Sequence, residues 1–164
     1  MARYAVLTSS DLGAQGKRED TSGDAIVEMM NAAGHELVER KILPDERARL
    51  GAAIAAWCDG GEVEVVITTG GTGLGPRDVM PEATGDVIEI DVPGIAEAMR
   101  AASLPKTKMA MISRARAGVR GRTLIVNLPG SPSGVKDCLG VVLPVFEHGV
   151  EILRDRHFGA HPTG

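Results

Sequence analysis

A chain of 164 residues is long enough to bury about 70% of its unfolded surface in one core, so it needs no disulfide framework to fold. Its formal net charge of −4, with one Trp, one Tyr and two Phe, argues against a nucleic-acid surface, which needs positive charge and stacking platforms. No apolar run approaches the roughly 18 residues of a membrane span, and the start carries no signal-peptide core.

The cysteine and histidine residues form no pattern typical of a metal site or a disulfide scaffold. Cys58 and Cys138 lie far apart, and the four histidines are scattered along the chain. We interpret the cysteines as buried free thiols in a reducing compartment. The sequence therefore predicts a cytoplasmic protein that binds neither nucleic acid nor membranes.

The chain alternates short apolar strand patterns with amphipathic helix patterns. The predicted elements of the first half are a strand at Tyr4–Thr8, a helix from a cap at Asp20, Thr21 or Ser22 to Gly34, a strand at His35–Leu43, a helix at Ala48–Cys58 with Asp45 as its N-cap, and a strand from Val63 to Thr69. Those of the second half are a short helix beginning at Pro81, a helix from Pro93 to Pro105, a glycine-marked turn at Ala117–Arg122, a strand at Thr123–Leu128 and a helix to Arg154 kinked near Pro144.

This alternation predicts parallel strands covered by helices on both faces. The expected fold is a three-layer α/β/α sandwich with a mostly parallel central sheet. We expect one domain over residues 1–164, with its core at about 4–154 and a loose tail at 155–164.

One stretch, Val63 to Asp78, organises the rest of the chain. A β-branched apolar run breaks into Thr68-Thr69-Gly70-Gly71-Thr72-Gly73, followed by Gly75-Pro76-Arg77-Asp78. Glycines allow close approach to the main chain, and successive amides in such a loop can bind an anion. The loop is neither a P-loop, since no Gly-Lys-Ser/Thr closes it, nor a dinucleotide fingerprint, since its glycine spacing is wrong. The alternative is a tight turn without a ligand.

Four loops follow predicted parallel strands and should meet at one edge of the sheet. They are Ser9–Gly13, Pro44–Asp45, Gly70–Asp78 and Pro129–Gly134. Asp11, Asp45 and Asp78 could hold a divalent cation or orient water there. Gly130 and Ser131 precede a predicted helix, whose N-terminus favours phosphate. Together these residue types predict a site for a phosphorylated ligand.

Each of these residues also has a purely structural interpretation. Asp45 and Ser131 could serve only as helix caps, and Asp78 could bind the amides of its own loop. Ser9, Ser10 and Asp11 could form a solvated turn. The arginines between residues 114 and 122 could belong to a solvated face.

These motifs together resemble the MogA/MoaB family of molybdenum-cofactor biosynthesis proteins and the G domain of gephyrin. The resemblance covers roughly residues 4 to 154. The matching stretches are Leu7–Asp11, Glu19–Gly23, Leu43–Glu46, Thr68–Gly73, Pro76–Val79, Pro81–Thr84, Ser113-Arg114 and Asn127–Pro132.

The resemblance implies a molybdopterin adenylyltransferase. Such an enzyme moves AMP from ATP to the terminal phosphate of molybdopterin, releases pyrophosphate, requires magnesium and acts as a trimer. Its product would pass to a molybdate-inserting partner. The alternative is a pterin carrier or scaffold of the MoaB type without turnover.

The family's two essential aspartates map to Asp45 and Asp78. By resemblance, Asp78 would help hold the magnesium on the ATP phosphates, and Asp45 would support that site. The amides of Gly70, Gly71, Thr72 and Gly73 would face phosphate oxygens. Pro129, Gly130 and Ser131 would cradle the pterin phosphate, with Ser113 and Arg114 on the pterin side. Leu12 departs from the pattern, because many relatives carry a basic residue there.

Overall fold

A computed structural model of the chain describes residues 1–155, which form a six-stranded mixed sheet with helices on both faces. The strands are β1 (Arg3–Ser9), β2 (Glu36–Leu43), β3 (Val65–Thr69), β4 (Ile90–Asp91), β5 (Ala117–Arg120) and β6 (Thr123–Leu128). Their order in the sheet is β2-β1-β3-β6-β5-β4. Neighbours among β2, β1, β3 and β6 pair in parallel, whereas β5 and β4 are antiparallel additions at one side.

The helices are α1 (Asp11–Ala14), α2 (Thr21–Ala32), α3 (Arg47–Gly60), α4 (Met80–Gly85), α5 (Pro93–Ser103), α6 (Pro132–Val142) and α7 (Phe146–Arg154). Two 3-10 segments, Lys108–Ile112 and Leu143–Val145, complete the secondary structure of the described residues.

Two apolar cores, one on each face of the sheet, confirm the predicted three-layer sandwich. Successive residues of β1 alternate between them: Tyr4 and Val6 join one core, and Ala5 and Leu7 join the other. This alternation follows from the period of two in a strand. The first core is closed by helices α2, α5, α6 and α7, and the second by α3 and α4.

Most helix ends lie where the sequence predicts them. The Asp20 carboxylate caps α2 by accepting from the Gly23 amide at 3.0 Å, and Gly34 follows the helix with φ of 82°. The predicted kink near Pro144 is confirmed, because the Leu143–Val145 segment separates α6 from α7.

Three local predictions are wrong. The predicted loop Ser9–Gly13 is mostly ordered, since Ser9 ends β1 and the Ser10 hydroxyl caps the one-turn helix α1. The glycine-marked stretch 117–122 is mostly strand β5, which forms a hairpin with β6 around the left-handed Gly121. Asp45 does not cap α3: Glu46 holds the N-cap position without a side-chain bond, and the Asp45 carboxylate reaches Ser9 and Asp11 instead. The Asp45 side chain therefore makes tertiary contacts with the loop after β1 instead of the predicted helix cap.

The parallel pairing places the carboxyl ends of β1, β2, β3 and β6 at one edge, as predicted. Antiparallel β5 begins at that same edge, since Ala117 pairs with Val126. The helices found in residues 1–155 are too short or too polar to cross a membrane. The predicted tail falls almost wholly on residues 156–164, outside the described part of the chain.

A buried polar network joins β6 to its neighbours just before the edge that carries the loops. The Asn127 amide nitrogen donates to Thr68 Oγ1 at 3.0 Å and to Thr84 Oγ1 at 2.8 Å. Its carbonyl oxygen accepts from the Arg116 amide at 3.2 Å. Asn127, Thr68 and Thr84 are fully buried. This side chain therefore ties together β3, α4, β6 and the segment leading into β5.

Replacing Asn127 with alanine should lower the free energy of unfolding by about 2 to 4 kcal/mol, because it leaves a cavity and unpaired buried groups. Urea denaturation measures the change. Thr84→Val keeps the shape and removes a single hydroxyl, so it should cost roughly 1 kcal/mol. A loss below about 0.5 kcal/mol for Asn127→Ala would contradict the structural importance of this network.

Candidate functional site

Two adjoining cavities lie at the edge where the parallel strands end. One, here called the polar cavity, has a volume of about 350 Å³ and is lined mainly by hydroxyl, carboxylate and glycine residues of the loops after β1, β2 and β3. The other, here called the apolar cavity, has a volume of about 470 Å³ and lies between α5, α6 and the 3-10 segment Lys108–Ile112. The two are separated by the glycine loop after β3 and the Pro129–Ser131 loop after β6.

The structure brings thirteen of the fourteen residues predicted for the site to these cavities. Those lining the polar cavity are Ser9, Ser10, Asp11, Asp45, Gly70, Gly71, Asp78 and Gly130. Those lining the apolar cavity are Thr72, Gly73, Ser113, Pro129 and Ser131. Arg114 lines neither. Each of the two separating loops thus contributes residues to both cavities.

The glycine loop turns sharply against the end of β1. Gly70 and Gly71 both adopt left-handed backbone conformations, with φ of 88° and 68°. A Cβ atom at Gly70 would lie only 2.5 Å from the Ser9 carbonyl oxygen. Among residues 1–155, the amides of Gly71, Thr72 and Gly73 have no protein acceptor. Gly71 lines the polar cavity, whereas Thr72 and Gly73 line the apolar cavity, so these unpaired amides are candidates for binding an anion.

Arg114 holds this loop in place. Its guanidinium donates to the carbonyl oxygens of Gly73 and Asp78, each at 2.7 Å, and forms an ion pair with Glu82. The hydrogen bonds from Arg114 lower the pKa of Glu82. The Arg114 amide also donates to the Thr72 carbonyl at 2.8 Å. Arg114 thus supports the glycine loop from behind, and direct contact between this side chain and a ligand stays a prediction.

The loops after β1 and β2 are joined by reciprocal contacts between two aspartates. Asp45 Oδ2 accepts from the Asp11 amide at 3.0 Å, and Asp11 Oδ1 accepts from the Asp45 amide at 2.9 Å. Ser9 Oγ donates to Asp45 Oδ1 at 2.5 Å. Both carboxylate oxygens of Asp45 are therefore engaged. The arrangement holds Asp45 at the polar cavity as a fixed negative charge.

Asp78 is less constrained. Its Oδ2 accepts from the Gly75 amide at 2.8 Å, and within residues 1–155 no group bonds its Oδ1. No three His, Cys, Asp or Glu side chains cluster as a metal site in this part of the chain. Magnesium, however, is commonly bound by one or two carboxylates together with substrate phosphates. The free oxygen of Asp78 fits that kind of ion.

The loop after β6 is fixed by hydroxyl groups of neighbouring elements. Ser22 Oγ donates to the Gly130 carbonyl at 2.5 Å, and Thr69 Oγ1 donates to the Pro129 carbonyl at 2.7 Å. Ser131 caps α6 by accepting from the Gly134 amide at 3.1 Å. The positive end of α6 therefore faces the apolar cavity, where it favours a negative ligand group.

Several residues of the site were not predicted from the sequence. Ser22 was interpreted only as a possible helix cap, although its hydroxyl positions Gly130. Ala96, Met99 and Ser103 of α5 line the apolar cavity. Nothing in their helical spacing distinguishes a cavity wall from a packed core. The Asp20–Gly23 motif was the one signal that could have pointed to Ser22.

A family described as "Probable molybdopterin binding domain" matches residues 5–148. Molybdopterin adenylyltransferase from Helicobacter pylori strain J99 is 39% identical over 150 residues, which cover 90% of this chain and 85% of that protein. A molybdenum cofactor biosynthesis bifunctional protein from Chlorobaculum tepidum is 38% identical over 152 residues, which cover 93% of this chain and 48% of that protein. The crystal structure of the molybdopterin biosynthesis enzyme MoaB from Thermus thermophilus has a TM-score of 0.89 and 43% identity, covering 97% of this chain and all of that one.

Gly70→Ala should lower the free energy of unfolding by at least about 2 kcal/mol, because a side chain is strained at positive φ and its Cβ meets the Ser9 backbone. Urea denaturation measures the effect. Gly140→Ala is the matched control, since a Cβ at that position in α6 meets nothing within 4 Å. The control should be neutral or slightly stabilising. Equal effects of the two changes would contradict the close approach at Gly70.

Proposed function

This chain belongs to the family of probable molybdopterin-binding domains, and we propose that it is a molybdopterin adenylyltransferase. The proposed reaction moves AMP from ATP to the terminal phosphate of molybdopterin and releases pyrophosphate. The name of the Helicobacter pylori relative supports this activity.

The observation that carries the proposal is the pair of cavities with a common wall. A group-transfer enzyme must hold two substrates with their reacting atoms in contact. The apolar cavity, with its helix N-terminus and Ser131, suits a flat pterin that ends in a phosphate. The polar cavity, with its glycine backbone and carboxylates, suits the metal-bound phosphates of a nucleotide. The two phosphates would meet at the glycine loop.

The chemistry requires positioning and charge neutralisation more than covalent catalysis. An oxygen of the pterin phosphate attacks the α-phosphorus of ATP, a new phosphorus–oxygen bond forms, and the bond to pyrophosphate breaks. The free amides of Gly71, Thr72 and Gly73 bind phosphate oxygens next to the reacting atoms. Ser131 and the N-terminus of α6 hold the pterin phosphate. No enzyme nucleophile takes part in this direct transfer.

Asp78 and Asp45 fit a magnesium ion carried by the nucleotide. The ion would neutralise part of the negative charge of the ATP phosphates. Asp78 offers it a carboxylate oxygen, while Asp45 contributes its fixed negative charge nearby. Ser9, Ser10 and Asp11 complete the wall of the polar cavity.

The product of this reaction would be handed to a molybdate-inserting enzyme. The bifunctional relative supports this, because this chain matches only about half of that longer protein. A homotrimer is the assembly we propose, on the family resemblance. Sedimentation of the purified protein would measure its assembly.

The first test is pyrophosphate release by the purified protein from ATP and magnesium, with and without molybdopterin. The expected result is release that requires both magnesium and molybdopterin. Molybdopterin binding without any pyrophosphate release would instead favour a carrier of the MoaB type. Trapping of an adenylylated protein would exclude direct attack by the pterin phosphate.

Asp78→Asn should reduce turnover at least about 100-fold, because it removes the negative charge offered to magnesium while keeping the side-chain shape. Steady-state pyrophosphate release measures turnover, and circular dichroism shows whether the fold is retained. Asp86→Asn, a change at an exposed aspartate outside both cavities, is the control and should retain turnover. Normal turnover of Asp78→Asn would remove Asp78 from the mechanism.

A further inference from the structure

An ion pair joins Arg77 to Asp11, a residue that lines the polar cavity. Arg77 Nη2 donates to Asp11 Oδ1 at 2.8 Å, and Arg77 Nε donates to Asp11 Oδ2 at 3.0 Å. Arg77 belongs to the loop that carries Asp78, whereas Asp11 follows β1 and lines the polar cavity. The pair therefore links the loop after β3 to the loop after β1.

The geometry of this pair is the one that arginine also makes with phosphate. A guanidinium binds two oxygens of a carboxylate or of a phosphate with the same parallel pair of N–H groups. The Arg77 side chain remains 59% exposed, and that of Asp11 35% exposed. An exposed ion pair of this kind contributes little net stability and exchanges partners readily. A polyphosphate entering the polar cavity would compete with Asp11 for Arg77.

Asp11 is held in position independently of Arg77. Its Oδ1 accepts from the Asp45 amide, and its own amide donates to Asp45. Arg77, by contrast, has no partner other than Asp11 among the hydrogen bonds and ion pairs of residues 1–155. The mobile member of the pair is thus the arginine, and the fixed member is the carboxylate.

We propose that Asp11 acts as an internal substitute for a substrate phosphate, which occupies Arg77 until the polyphosphate of a nucleotide displaces it. Arg77 then binds the nucleotide phosphates, and Asp11 is a competitor rather than a ligand of the nucleotide or its metal ion. The inference rests on the proposed function, since it takes the polar cavity as the nucleotide site. The two members of the ion pair then have opposite effects on nucleotide binding: Arg77 strengthens it, and Asp11 weakens it.

The test measures the affinity for ATP with magnesium by isothermal titration calorimetry in three variants. Asp11→Asn keeps an oxygen for the Asp45 amide but releases Arg77, so it should tighten binding about 2- to 5-fold, the range expected for an exposed ion pair. Arg77→Gln should weaken binding about 10-fold. In the double variant the gain from Asp11→Asn should disappear, because the arginine that it releases is absent.

Two controls separate this competition from simpler effects. Glu19→Gln removes a negative charge from the wall of the same cavity, so it reports the general effect of charge on binding. Its effect should be smaller than that of Asp11→Asn and should persist in the Arg77→Gln background. Asp86→Asn breaks an ion pair of the same two-bond geometry, Arg47 with Asp86, outside both cavities and should not change the affinity.

The outcomes separate failure of this inference from failure of the proposed function. Weaker or unchanged binding by Asp11→Asn, in a protein that transfers AMP, overturns the inference alone and favours Asp11 as a metal or nucleotide ligand. Binding of ATP without AMP transfer overturns the proposed function, while the order of affinities still decides the role of Asp11. A protein that binds no ATP with magnesium overturns both.

Discussion

The close approach of the Gly70 backbone to the Ser9 carbonyl is the constraint on which the site depends. Gly70 and Gly71 both adopt left-handed conformations at this approach, and the amides of Gly71, Thr72 and Gly73 that follow it have no acceptor within residues 1–155. Gly130 packs against the same turn, since a Cβ there would lie 3.3 Å from Gly70 Cα. The two loops in contact form the wall between the polar and apolar cavities. A Cβ atom at Gly70 or Gly130 would therefore press on the backbone of the neighbouring loop.

Electrostatics in the polar cavity are arranged around fixed carboxylates rather than around a preformed cation site. Asp45 is fully bonded, Asp78 keeps one oxygen free, and Asp11 is shared between a backbone amide and Arg77. The Arg77 guanidinium, with the Asp45 amide, holds the pKa of Asp11 below its usual range. Negative charge is thus maintained in the cavity proposed for the nucleotide, where the proposed magnesium ion would offset the repulsion between these carboxylates and the phosphates.

The sequence predicted the layers and the parallel strands because their signals are local. Apolar strands of five to eight residues, helix caps such as Asp20 and Ser131, and the glycines at helix ends all act within a few residues. Parallel order then placed four loops at one edge, and thirteen of the fourteen predicted residues line its cavities. The sequence missed β5, because its four residues end in glycine, valine and arginine and its pairing with β6 is antiparallel. Ser113 and Arg114 come just before this strand, which begins at the edge with Ala117 and runs away from it.

The sequence by itself determined which residue types could meet at the edge: glycines that need positive φ, carboxylates and a capped helix N-terminus. Only the tertiary structure decided how they are used. The Asp45 carboxylate bonds Ser9 and Asp11 instead of capping α3. The Arg114 side chain supports the glycine loop, and α5 forms part of the wall of the apolar cavity. The physical reason is that these contacts join residues more than 30 positions apart, and no local pattern specifies which of several donors or apolar faces a distant segment will meet.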